Sequence, residues 1–327
     1  IHTHLSGSII RQCLHEIWTK KKATGSTDLE DPLVVMPMDK HDYDLNTFFP
    51  LFSSYIYHLV DDVDSLTFST NAVAADFAHD GVVHLELRTT PRAMPNADLD
   101  KAGYVQAVLD AMAAAQTENP SIRAKLILSM DRRNTPEEAR EVGDVSLFGL
   151  AVREAKAGGG GLGVTVHFAE AECSASEAEL QTIMDWGPDR LGHVIHVPEH
   201  IKRRITAAGP GSGGTTAATT RGLELCLSCN VHAKMIVGSF EAHHFGEWWK
   251  AENVTVVPCV RVVPAFLSFL IIDPLPPPTL PQKGNTWNGE SQHFRLTRAE
   301  IPEHARKGID VIFGGEEEKQ RLRSIMW

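Results

Sequence analysis

The sequence predicts an α/β protein of the (β/α)8, TIM-barrel type, and three observations predict it. Strand-like and helix-like stretches alternate about six times along the chain, which calls for parallel strands joined by crossover helices. Polar and titratable residues gather where those strands end: Glu86, Arg88, Asp131, His167, Glu170, His193 and Asn230. In a closed barrel such ends converge on one mouth, where barrel enzymes place their chemistry. Neither G-x-G-x-x-G nor a P-loop occurs, so the open nucleotide-binding folds lack their motifs.

The elements follow in order. "GVVHLELRTTP" (81–91) alternates as a strand does, and "LDKAGYVQAVLDAMAAAQTE" (99–118) has apolar residues at helical spacing. "AKLILSMD" (124–131) is the next strand, and "TPEEAREV" starts a helix with proline in its first turn. "LGVTVHFAE" (162–170) is a strand, then "SASEAELQTIMDW" a helix; "DRLGHVIHV" (189–197) is a strand, then "PEHIKRRIT" a helix. "GLELCLSCN" and "NVTVVPCV" are two further strands. The expectation is one domain over 1–327, with a flexible Gly/Thr/Ala-rich insertion at 207–222 and an aberrant proline-rich segment at 261–292.

Composition narrows the function. A net charge of −11 argues against a nucleic-acid or membrane-surface binder, each of which needs a basic face, and leaves small-molecule chemistry. No apolar run reaches the roughly 18 residues of a membrane span. The five cysteines are scattered and odd in number, as in a reduced, cytoplasmic protein. The chain opens on isoleucine rather than methionine, which leaves a preceding targeting segment open. Cys226 and Cys229 form the only C-x-x-C, and their alternating surroundings read as a buried strand rather than half a zinc site.

The chain begins "IHTHLSGS". On an extended strand His2 and His4 point the same way and can grip one metal ion. His167 at a strand end is a natural third ligand, with Glu170 three residues on within reach as a proton carrier. His193 follows Gly192, whose bare backbone would leave the imidazole exposed to the mouth, able to orient or deprotonate water. Singly these are a core histidine, a solvated acid and a capping residue. Jointly, at successive strand ends, they describe a zinc hydrolase.

"HTHLSGS", "LELRTTPR", "DRR", "VHFAE", "DRLGH", "LELCLSCNV", "HHFGEWW" and the terminal R-x-x-x-W resemble the adenosine deaminase family, more closely its adenosine deaminase-like branch. That branch resembles enzymes that remove the N6-amine or N6-methylamine of adenosine monophosphates. The resemblance implies a TIM-type barrel holding one zinc ion, with His2, His4 and His167 as ligands. It gives Glu170 as the acid that protonates purine N1 and His193 as the residue positioning the attacking hydroxide. Arg88, Arg92, Arg132 and Arg133 would suit a 5′-phosphate, which guanidinium grips bidentately; Asn230 joins them as a substrate contact. The partner implied is a purine nucleoside or nucleotide, met by a monomer.

The pattern also breaks. The family's paired aspartates, a zinc ligand and a substrate-contacting carboxylate, should follow "VTVVPC"; the chain instead reads "VRVVPAFLSFLIIDPLPPP", where Asp273 is a poor substitute. A strand is missing near Val142–Gly143, and Ser6 stands where the family has asparagine or aspartate. The first strand has lost its lead-in, leaving His2 and His4 little to anchor them. An incomplete barrel with impaired catalysis is therefore expected, or a catalytically inactive purine-binding relative. Another metal-dependent amidohydrolase shares the H-x-H strand but fits "HFAE" and "LELRTTPR" less well.

Overall fold

Parallel strands carry the fold in the computed structural model, which describes residues 2–37, 47, 50–131, 135, 137, 163–207, 220–259, 294–297 and 299–326. Among them, β1 (His2–His4), β2 (His84–Thr89) and β3 (Arg123–Leu128) form one sheet in that order. A second has β4 (Thr165–Phe168), β5 (Arg190–His193), β6 (Arg221–Leu225) and β7 (Val254–Pro258) side by side in sequence order. Every pairing is parallel, as the alternation of segments required. The helices used below are α1 (Arg11–Ala23), α2 (Val63–His79), α3 (Lys101–Glu118), α4 (Glu177–Trp186), α5 (Glu199–Ala207), α6 (Leu227–His232), α7 (Phe245–Trp248), α8 (Glu300–Gly308) and α9 (Gly315–Ile325).

Two compact units divide the chain: Ile1–Asp144 with His232–Lys234 and Val260–Gly289, and Val145–Val231 with Met235–Cys259 and Glu290–Trp327. The first is built on β1 to β3. Leu85 and Leu87 of β2 are fully buried with Leu14 of α1, Val73 of α2 and Val108 of α3. Side chains at the helix starts explain the boundaries. Asp62 accepts from the Ser65 N–H ahead of α2, and Asp100 from the Gly103 N–H ahead of α3, each satisfying an orphan donor of the first turn. Helices α1 and α2 have no counterpart in the sequence reading.

β1 is better anchored than its position at the chain's start suggested. His2, Thr3 and His4 stand opposite Glu86, Leu87 and Arg88 of β2. The Ser8 hydroxyl donates to the His4 carbonyl at 2.8 Å and shares a 2.6 Å hydrogen bond with the Thr3 hydroxyl, folding the following turn back onto the strand.

The second unit buries Phe168, Leu191, Leu223 and Leu225 from its strands, with Leu180, Ile201 and Phe245 from helices. Ser176 caps α4 and Gly187 ends it in the left-handed conformation. Inside lies an ion pair: Arg190 of β5, 1% exposed, meets Glu224 of β6, 2% exposed, at 2.6 Å. The Arg190 guanidinium also stacks on the Phe313 ring and donates to the Val311 carbonyl. Gly222 makes this possible, since a Cβ there would fall 2.6 Å from Arg190 Cγ.

One expected strand is corrected. "GLELCLSCN" is extended only through Leu225; Leu227–His232 turn into α6, so Asn230 sits on a helical turn rather than at a strand end. A short apolar run is equally compatible with a buried strand and a buried helix. Cys226 and Cys229 are buried free thiols, as core cysteines should be. Of the expected insertion 207–222, Ala207 ends α5 and Arg221–Gly222 begin β6; residues 208–219 lie outside the described residues, as do 261–292 and Val142–Gly143. Among the described residues no helix is long and apolar enough to cross a membrane.

Candidate active site

The second unit assembles its chemistry where β4 and β5 end. Phe168 of β4 pairs in register with His193 of β5, and His167 with Gly192. The two imidazoles meet edge to face, 4.8 Å between centroids. Glu170, just beyond β4, reaches both rings: its Oε2 lies 3.1 Å from His167 Nδ1 and its Oε1 3.3 Å from His193 Nε2. Wherever Glu170 is ionised it can only accept, and His167 then carries its proton on Nδ1 and keeps a lone pair on Nε2. That is the state of a metal-ligating histidine whose second nitrogen is held by a carboxylate.

The backbone here is unusual. Ala169, His193 and Val194 all have positive φ, at 51°, 66° and 46°. Left-handed backbone is strained for side chains with a Cβ, and buried Val194 is β-branched. Such residues persist only where the surroundings hold them. The Val194 N–H donates to the Phe168 carbonyl at 3.0 Å, and His244 Nε2–H donates to the His193 carbonyl at 2.6 Å.

His193 is 1% exposed, not open to solvent as its preceding glycine suggested. Gly192 serves its neighbour across the ladder instead, since a Cβ there would lie 3.1 Å from His167 Cδ2. On its far side His193 Nδ1 lies 3.0 Å from Asn230 Oδ1, and Asn230 Nδ2 lies 3.1 Å from His243 Nε2. The Phe245 N–H, an orphan donor at the start of α7, donates to His243 Nδ1 at 2.9 Å. His243 and His244 stack at 4.2 Å between centroids. Sequence reasoning quoted "HHFGEWW" but gave neither histidine a role; two adjacent histidines before a helix were the available signal.

Burial, then the neighbouring His244 and His193, pushes His243 down to about 3. His304 of α8, packed against the Trp249 ring, is pushed down to about 3 by burial, then by Lys307. Both fold as neutral imidazoles, whereas the unfolded chain protonates them below about 6.5. The stability they contribute is present above pH 6.5 and is lost as pH falls toward 3, by about 1.4 kcal/mol per pH unit for each. The urea midpoint is therefore expected to drop between pH 7.5 and pH 5, and a flat profile would contradict this reading.

The remaining expected residues are placed as follows. His2 and His4 share one side of β1 in the first unit, with stacked rings 5.9 Å apart. Arg88 ends β2 in register with His4 and Ile127. Arg92 is committed within its own unit: it donates to the Val60 carbonyl, and its guanidinium lies over the Tyr57 and Tyr104 rings at 4.8 and 5.8 Å. Arg132 and Arg133 lie outside the described residues.

An adenosine deaminase family model matches residues 1–154. The human N6-methyl-AMP deaminase is 25% identical, over 99% of this chain and 90% of that protein. Among solved structures, the Arabidopsis N6-mAMP deaminase MAPDA is similar at a TM-score of 0.78 and 26% identity, covering 99% of this chain and 96% of that one. Arabidopsis ADAL complexed with GMP is similar at 0.78 and 25%, covering 99% and 94%. The fold is therefore that of the adenosine deaminase-like TIM-barrel hydrolases, in α/β form and not closed among the described strands. The family is metal-dependent, and His167, Glu170 and His193 are a donor group of the kind that could hold an ion. With this fold, residues 1–154 match the adenosine deaminase family model, and the chain is similar over almost its whole length to N6-methyl-AMP deaminases.

Proposed function

We propose that this protein hydrolytically deaminates the purine C6 position of an adenosine-type nucleoside or nucleotide, of which AMP and N6-methyl-AMP fit its relatives best. Water adds at C6, the exocyclic C–N bond breaks, and ammonia or methylamine leaves. The observation that carries the reading is Glu170, a carboxylate just beyond the C-terminal end of β4, 3.1 Å from His167 and 3.3 Å from His193. In this role Glu170 delivers a proton to ring nitrogen N1, raising the electrophilicity of C6, and His193 orients the incoming water. Arg88, Arg92, Arg132 and Arg133 are proposed phosphate contacts; Arg92 is the weakest of them, being already engaged within its unit.

Zinc is the metal we propose, one per chain, with His2, His4 and His167 as ligands. The assignment rests on the resemblance in sequence, and the lone pair left on His167 Nε2 supports it. When bound, the ion would supply Lewis acidity that generates a nucleophile at neutral pH. The sequence lacks the aspartate pair after "VTVVPC", so we propose that turnover is slow. The test is to incubate the zinc-supplemented protein with AMP, N6-methyl-AMP or adenosine and follow the ultraviolet change from adenine to hypoxanthine. Conversion of any one is expected; no conversion, with zinc still bound, would favour an inactive purine-binding relative.

A further inference from the structure

The hydrogen bonds behind His193 can be satisfied in only one way, and that way fixes which nitrogen of His193 carries its proton. Asn230 is 0% exposed, His193 1% and His243 3%, so the three side chains face one another rather than bulk solvent. The order is set from the far end. The Phe245 N–H donates to His243 Nδ1, so that nitrogen is an acceptor. A neutral imidazole has one acceptor and one donor nitrogen, hence His243 Nε2 bears the hydrogen. Burial keeps His243 neutral, which excludes the doubly protonated ring.

His243 Nε2–H needs an acceptor, yet the Asn230 atom 3.1 Å away is named as the amide nitrogen, itself a donor. The two arms of an asparagine amide are told apart by their partners. Turning the amide over resolves the clash. Asn230 Oδ1 then accepts from His243 Nε2–H, and Asn230 Nδ2–H donates to His193 Nδ1 across the 3.0 Å contact. His193 Nδ1 becomes an acceptor, and its proton must sit on Nε2, the nitrogen 3.3 Å from Glu170 Oε1 that makes no hydrogen bond with it.

We propose that Asn230 and His243 are positioning residues that hold His193 as the Nε2–H tautomer. His193 then presents a proton, not a lone pair, to the catalytic side. In the resting protein it cannot deprotonate water at Nε2; it orients a water by donating to its oxygen, and general-base work falls to Glu170. The catalytic consequence rests on the deaminase reading above. The tautomer does not, and it is measured separately.

The experiment is long-range proton–nitrogen correlation of imidazole signals in metal-free, 15N-labelled protein at pH 8, with His193 assigned by the signal lost in His193→Gln. The wild-type spectrum should show Nε2–H at His193; Nδ1–H there would overturn the proposal. Asn230→Asp supplies an acceptor-only side chain, so His193 should switch to Nδ1–H, and an unchanged tautomer in that folded variant would overturn it too. Should Asn230→Asp fail to fold, the wild-type spectrum still decides. If the protein turns over a purine, Asn230→Asp should lower kcat on the order of tenfold. An Nε2–H signal in a protein without turnover would leave the tautomer established and the deaminase reading refuted.

Discussion

Glu170→Gln should lower kcat for AMP or N6-methyl-AMP by about 10²–10⁴-fold, the usual worth of a positioned general acid–base. The substitution preserves shape and removes two capacities. Glutamine cannot carry a proton to N1. It also replaces the oxygen pair that His167 Nδ1 meets at 3.1 Å with one oxygen and one NH2, a weaker acceptor for that imidazole. The loss should appear in kcat and kcat/KM together, as for an interaction made in the transition state. A thermal melt within a few degrees of wild type would show that the fold survived. Turnover within a few-fold of wild type would remove Glu170 from the mechanism.

The largest effect on stability is expected at the ion pair buried between β5 and β6. Glu224→Ala leaves the Arg190 guanidinium buried beside the Phe313 ring without its carboxylate partner. Breaking a buried pair from one side costs about 3–5 kcal/mol, because the remaining charge is neither solvated nor neutralised. Against a usual domain stability of about 5–15 kcal/mol, that loss is a large share of the total. The urea midpoint measures it. Replacing both partners, Arg190→Met with Glu224→Leu, should recover most of the loss, since well-packed apolar side chains often match a buried ion pair. A midpoint that Glu224→Ala leaves unmoved would show the pair contributes nothing.

Much of the architecture could be read in advance where periodicity was long. Strands β2 to β7 and helices α3 to α5 lie within one residue of the expected stretches, because alternation and helical spacing persist over enough residues to be distinguished. The end of β6 was missed, since "LCLSCN" is too short to separate a strand from a helix. Glu170 beside His167 was legible from their spacing, and its reach to His193 from successive strand ends.

What lay beyond reading were partners distant in sequence. Nothing in "LGH" says that Gly192 makes room for His167, nor in "HHFG" that one histidine grips the His193 carbonyl while its neighbour faces Asn230. Arg190 and Glu224 read as ordinary charges on strands. Only the parallel register of β5 and β6, with Gly222 between them, turns them into an interior pair.

The left-handed backbone just after β4, at Ala169, and at the end of β5, at His193 and Val194, implies a conflict between durability and order. Selection for heat tolerance alone would place glycine there, because glycine adopts such angles without penalty. Keeping bulkier residues instead sacrifices robustness to gain a fixed imidazole direction.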